Sequence, residues 1–218
     1  SFTGSAGLAI ILKKKNYLFV DGRYTIQAQN ESGKNFKIIE IHKRLPHTIV
    51  KNYKLGFDPN LFTSKKLKYY FSKNNKLISV DNNLVDKIFK NTSKQKKPFF
   101  SLHKKITGEG HKSKIKKIIN FLKLNKADYL FISAPENVAW LLNIRGYDNP
   151  TSPIPNTRLI IGKNKKLLLF TQQNNIIKII KEKKIMHNQV FDFLNFKELI
   201  EKLNGSNFII DSHSCSVF

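Results

Sequence analysis

The sequence predicts an α/β protein built from a duplicated unit, and three observations predict it. The stretch Ala9–Tyr24, AIILKKKNYLFVDGRY, superposes without a gap on Leu159–Asn174, LIIGKNKKLLLFTQQN, at an offset of 150. Each copy reads as an apolar strand, a Lys/Asn-rich turn, a second apolar strand and a helix start. Farther on, Lys54–Phe62 (KLGFDPNLF) resembles Asn207–Cys215 (NFIIDSHSC), each a short strand ending at an aspartate ahead of a turn. With 218 residues, 40% hydrophobic and 11% aromatic, the chain can bury a core in one or two domains.

The elements follow in order. Thr3-Gly4-Ser5-Ala6-Gly7 has the look of a phosphate-binding loop, but no strand precedes it and no Lys-Ser/Thr pair follows. It reads instead as a bend entering the hairpin of Ala9–Leu12 and Tyr17–Val20. Asp21 then stands where an N-cap accepts a free backbone N–H, and the helix runs to about Glu31; Thr171 is its counterpart in the second copy. After Leu61 come a helix over Thr63–Phe71 and a strand over Lys76–Val80, and Asn91–Gly110 reads as a linker. The second copy opens with a helix at His111–Leu124, whose Ile115, Ile118, Ile119 and Leu122 form an apolar stripe. A strand at Asp128–Ser133 and a Pro-initiated turn of helix at Pro135–Leu142 follow, with Trp140 expected in the core. By the repeat, the first copy lacks about 40 residues at its front and the second stops early.

Chemistry is sparse. The six histidines are scattered, and there is no HExxH, no paired CxxC and no G-x-S-x-G elbow. His213 and Cys215 stand two apart without further catalytic signature. No metal site is expected, Asp21 and Asp58 read as cap and turn residues, and Arg145 with Asp148 reads as a local pair about Gly146. The net charge of +24 raises nucleic-acid binding, yet it comes from 35 lysines and only four arginines, spread along the chain. Lysine travels here with asparagine and isoleucine, all with AT-rich codons, so base composition explains the charge. A single cysteine fits a reducing, cytoplasmic setting, and no apolar run is long enough for a membrane span.

A resemblance rests on particular segments: FTGSAGLAII, LFVDGRYTIQAQ, LGFDP, NNLVDKIFKN and PENVAWLLNIRGYDNP, in this order. In these the chain resembles Xaa-Pro aminopeptidases of the three-domain type, departing at Ser1, where that family has glycine. The resemblance implies two tandem creatinase-like N-terminal domains, residues 1–103 and 104–218, each a mixed sheet flanked by helices. It also implies a pita-bread catalytic domain outside this chain, holding two divalent metal ions, manganese, on two Asp, one His and two Glu. None of those ligands is assigned here, so catalytic residues and cofactor in this chain are expected to be none. The two domains are expected to shape substrate access and oligomer contacts of a homodimer acting on short peptides with proline second. The access candidates are Phe2, Thr3 and Gly4 with Asn143, Arg145, Gly146 and Asp148. The competing reading is a stand-alone lysine-rich module for nucleic acid or acidic partners.

Overall fold

The computed structural model describes residues 2–71, 74–81, 83–88, 98–148, 151–172 and 176–217. They divide into two compact units between Asn83 and Leu84.

Unit 1 begins with the expected hairpin, β1 (Gly7–Ile11) antiparallel to β2 (Asn16–Val20). A 3-10 turn at Gly22–Tyr24 leads into α1 (Thr25–Ser32), which carries the chain over to β3 (Lys37–Glu40), parallel to β2. Ala28 and Ser32, one helical turn apart, are the buried face of α1. Ala28 closes a small core with Leu18 and Val20, against which Phe2, Tyr24, Phe36 and Ile38 pack. After α2 (Pro46–Ile49), β4 (Lys54–Phe57) and β5 (Lys76–Ser79) form a separate parallel pair joined through α3 (Ser64–Phe71). Thr63 starts α3 by accepting the Lys66 N–H at 3.2 Å. Phe62 meets Phe57 and Phe71 edge-to-face.

Unit 2 opens with α4 (Leu84–Ile88), β6 (Phe100–Ser101), α5 (Lys104–Thr107) and α6 (His111–Leu124). Then come β7 (Tyr129–Ile132), α7 (Pro135–Leu142), β8 (Ile144–Arg145), β9 (Arg158–Gly162) and β10 (Leu167–Phe170). It ends with α8 (Ile177–Lys181), β11 (Val190–Phe191), α9 (Phe196–Glu201) and β12 (Phe208–Ile210). The main sheet has the order β11-β10-β9-β7-β12, with antiparallel pairs in the middle and parallel pairs at both sides. One face is packed by α6, α7 and α8 through Ile119, Val138, Leu141, Leu142 and Ile179. The other is covered by Phe193, Phe196, Leu199 and Leu203.

Several expectations are revised. The linker read at Asn91–Gly110 contains β6, paired with β8, and α5, while Phe99 is fully buried in the unit 2 core; residues 91–97 lie outside the description. Buried Phe99 draws the segment into unit 2. The gapless repeat slips by one residue at the turn. Leu8 faces Phe19, but Arg158, its counterpart, faces Phe170. The cause is loop length: Gly162 N–H closes on the Lys166 carbonyl at 2.8 Å, leaving three residues, with Lys165 left-handed at φ 69°.

Candidate functional site

Phe2, Thr3 and Gly4 are fixed to α1. Glu31 accepts the Thr3 N–H at 2.6 Å and the Thr3 hydroxyl at 2.8 Å. Gln27 Nε2 donates to both the Thr3 hydroxyl (2.8 Å) and Glu31 (3.0 Å). Bonds from Gln27 first, then from Thr3, hold the Glu31 carboxyl below its ordinary range. The Phe2 ring meets Tyr24 edge-to-face and folds over Gly4, where a Cβ would meet Phe2 Cζ. A larger residue at position 4 would displace the Phe2 ring.

At the end of β2, Asp21 Oδ1 accepts both the Arg23 N–H (3.0 Å) and Arg23 Nε (2.9 Å). This side-chain bond from Arg23 is the main reason the Asp21 carboxyl lies below its ordinary range. His42 Nε2 stands 3.9 Å from Asp21, and Lys43 pairs with Glu40 at 2.7 Å. Asp21 thus caps the 3-10 turn that precedes α1. Thr171 does something else. It is fully buried, its hydroxyl donates to the Asn156 carbonyl at 3.1 Å, and the next described helix, α8, starts only at Ile177. Its N–H bonds the Phe191 carbonyl at 3.0 Å.

In unit 2 the candidates line up after α7. Asn143 ends that helix in the left-handed region (φ 55°, ψ 44°) and is 2% exposed. Its amide is fully engaged: Oδ1 accepts Lys114 Nζ at 2.8 Å, while Nδ2 donates to the Glu109 carbonyl (2.8 Å) and Thr107 Oγ1 (3.1 Å). Asn143 braces the unit from inside. Gly146 is packed so closely that a Cβ would lie 2.8 Å from Pro155 and 3.0 Å from Phe99. Arg145 Nη1 donates to the Ile144 carbonyl at 2.8 Å, and Asp148 Oδ2 accepts the Asn156 N–H at 2.6 Å. Partial desolvation raises the Asp148 carboxyl above its ordinary range, against the lowering effect of that N–H.

Sequence reading missed Lys114, which is 3% exposed. Besides Asn143 it donates to the Trp140 carbonyl at 2.8 Å, and its Nζ sits 3.9 Å from the centre of the Trp140 ring. Burial lowers its pKa, opposed in part by Glu109. The signal was available: Lys114 shares the i, i+4, i+8 row of α6 with Ile118 and Leu122. Trp140, expected in the core, is 59% exposed, because Val138, Leu141 and Leu142 take the inward face of α7. It borders a cleft of about 260 Å³ between α6, α7 and the ends of β7 and β12, lined by Phe131, Ser133, Asn137, Asp211 and Ser214. Among the described residues no three His, Cys, Asp or Glu side chains gather to hold a metal, and no helix is long and apolar enough to cross a membrane.

The fold and its braced loops define a tandem α/β protein whose units repeat one plan. Residues 1–88 and 90–218 each match the creatinase/prolidase N-terminal domain. The chain belongs to the creatinase/prolidase N-terminal domain family, carrying two of its domains in tandem. A probable Xaa-Pro aminopeptidase P of Laccaria bicolor is 34% identical over 172 residues, covering 70% of this chain and 26% of the relative. Xaa-Pro aminopeptidase 1 of Dictyostelium discoideum is 30% identical over 196 residues, 80% of this chain and 31% of the relative. The chain therefore spans less than a third of these relatives' length. Its fold matches the crystal structure of X-prolyl aminopeptidase from Caenorhabditis elegans, described as a cytosolic enzyme with a di-nuclear active site. That match has a TM-score of 0.74 at 22% identity, over 96% of this chain and 37% of that one.

Proposed function

We propose that this chain is the non-catalytic N-terminal part of an Xaa-Pro aminopeptidase, an enzyme that releases the residue ahead of proline from short peptides. The observation that carries the reading is the tandem pair of creatinase/prolidase N-terminal domains, whose match covers only 26% and 31% of two Xaa-Pro aminopeptidases. In this reading the di-nuclear metal centre, with manganese, belongs to a catalytic pita-bread domain outside these residues, and the enzyme works in the cytoplasm as a homodimer. Phe2–Gly4, Arg145, Gly146 and Asp148 shape access to that centre, with Asn143 bracing the second loop from inside. In this reading the two creatinase-like domains are residues 1–103 and 104–218. The lysine-rich binding-module alternative gains nothing from these relatives.

The test is an assay of the purified 218-residue chain, loaded with manganese, against peptides with proline second. The expected result is no release of the N-terminal residue. Metal-dependent turnover by this chain alone would overturn the reading.

A further inference from the structure

Two dipeptides of the chain set a side-chain carbonyl next to a glycine N–H: Asn204-Gly205 and Asp21-Gly22. Such a pair closes a five-membered imide when the glycine nitrogen attacks the side-chain carbonyl carbon, and glycine leaves that nitrogen unshielded. What else holds the two residues decides whether this happens. In the turn after α9, the Leu203 and Asn204 N–H groups close on the Ile200 and Glu201 carbonyls at 2.9 and 3.1 Å. Ser206 N–H closes on the Leu203 carbonyl at 3.2 Å. Gly205, between them, sits at φ 80° and gives its N–H to no main-chain carbonyl among the described residues. It donates instead to Asn204 Oδ1 at 2.9 Å, so the attacking nitrogen already lies against the amide it would attack. Asn204 Nδ2, the group that must leave, has no partner among the described residues. Both residues are exposed, and a Cβ on Gly205 would meet nothing within 4 Å, so water and hydroxide reach the amide.

Asp21-Gly22 differs at each point. Arg23 bonds both carboxylate oxygens, at 2.9 and 3.4 Å, and holds the group ionised, a form that a nitrogen attacks poorly. The space beside Gly22 is taken, since a Cβ there would lie 3.2 Å from Glu40 Oε1. Every other asparagine is followed by a residue with a side chain, which shields the nitrogen.

We propose that Asn204-Gly205 is a self-modification site, where the folded chain converts its own asparagine into isoaspartate and aspartate with water as the co-reactant. The Gly205 nitrogen gives its proton to hydroxide and bonds Asn204 Cγ. The Cγ–Nδ2 bond breaks, and Nδ2 takes a proton from water and leaves as ammonia. Water then adds to either imide carbonyl, and nothing is oxidised or reduced. Opening at Cγ gives aspartate; opening at the Asn204 main-chain carbonyl gives isoaspartate, whose main chain runs through Cβ and Cγ. Each product carries a new carboxylate. Isoaspartate also lengthens the main chain between buried Leu203 and Asn207, whose carbonyl accepts the Asp128 and Tyr129 N–H groups at 2.9 and 3.1 Å. The modification therefore acts where β12 enters the sheet beside β7. It is independent of the peptidase reading.

The test ages the purified 218-residue chain in mildly alkaline buffer and follows its tryptic peptide Leu203–Phe218, which holds no Lys or Arg, by mass spectrometry. A gain of about 1 Da at Asn204 is expected, divided between two products of which isoaspartate is one. Its rate should lie within about tenfold of that in the synthetic peptide Leu203–Phe218, because the fold leaves the turn unshielded. Asn204→Gln, whose longer side chain closes no five-membered ring, should show no gain at this position over the same time. The tryptic peptide Asn16–Arg23 should stay a single species. The urea midpoint read at Trp140 should fall as the parent chain ages and hold in Asn204→Gln. A rate in the folded chain more than about a hundredfold below the peptide's, aspartate without isoaspartate, or faster conversion at Asp21 would each overturn the proposal. A midpoint that does not move would overturn the effect on β12.

Discussion

The hairpin β9–β10 lies inside a five-stranded sheet, whereas its counterpart β1–β2 stands at one side of a three-stranded one. In β9 every residue after Arg158 is buried; in β1 only Ile10 is. The sequences of the two hairpins are alike, so local pattern is enough to form the turn and pair the strands. How deeply they are buried is set by the neighbours. Unit 2 has β7 beside its hairpin and helices α6, α7 and α8 over it, and unit 1 relies on Phe2, Tyr24 and Ala28 about a far smaller cluster.

The largest test of this contrast lies at Asn143. Replacing it by alanine leaves the buried Lys114 ammonium with the Trp140 carbonyl and ring alone, and takes one of two donors, the other being the Thr107 hydroxyl, from the Glu109 carbonyl. Leaving a buried charged donor short of an acceptor costs about 3 kcal/mol or more. Trp140 is the chain's single tryptophan, so its fluorescence in urea reports the unfolding of unit 2 by itself. A midpoint unmoved by Asn143→Ala would show that the brace does not hold the unit. Next comes the matched pair Ile161→Ala and Ile11→Ala. The first should cost about 2–5 kcal/mol because it opens a cavity in a closed core. The second removes an exposed side chain and should stay within about 0.5 kcal/mol. Equal costs would mean that the hairpin of unit 1 is packed as tightly as that of unit 2.

Much of this was legible in the residues. The ends of α6 and α7 fall where the apolar stripe and Pro135 put them, because periodicity and proline act locally. The strands of both hairpins lie within two residues of their expected bounds for the same reason. What was not legible depends on partners distant in sequence. The row that Lys114 shares with Ile118 and Leu122 was legible, but its acceptor, the Asn143 amide 29 residues on, was not. β6 is two residues long and exists only because β8 pairs with it. Phe99 belongs to unit 2 through contacts that no local signal announces. The one-residue slip between the hairpins comes from a left-handed lysine, a conformation that the residue type does not advertise.

The smallest effects separate Asp21 from Thr171, which occupy equivalent places after equivalent strands. Thr171→Val keeps the shape and removes a buried hydroxyl bonded to the Asn156 carbonyl, so about 1–2 kcal/mol should be lost, evenly across pH. Asp21 acts through charge at a half-buried position, and its effect should be smaller and dependent on pH. Its carboxyl is depressed in the folded chain by Arg23, so the folded state holds the ionised form more firmly than the unfolded state does. The stability it contributes is fully present above the ordinary carboxylate range and is lost as pH falls through the depressed folded value. Asp21→Asn should therefore lower stability slightly at neutral pH and leave it unchanged in strong acid, while Thr171→Val stays displaced throughout. Unfolding midpoints of the two variants followed from neutral pH into that acid range would distinguish a cap that works by ionisation from a strut that works by a neutral bond. Parallel curves would show that the two positions do the same job after all.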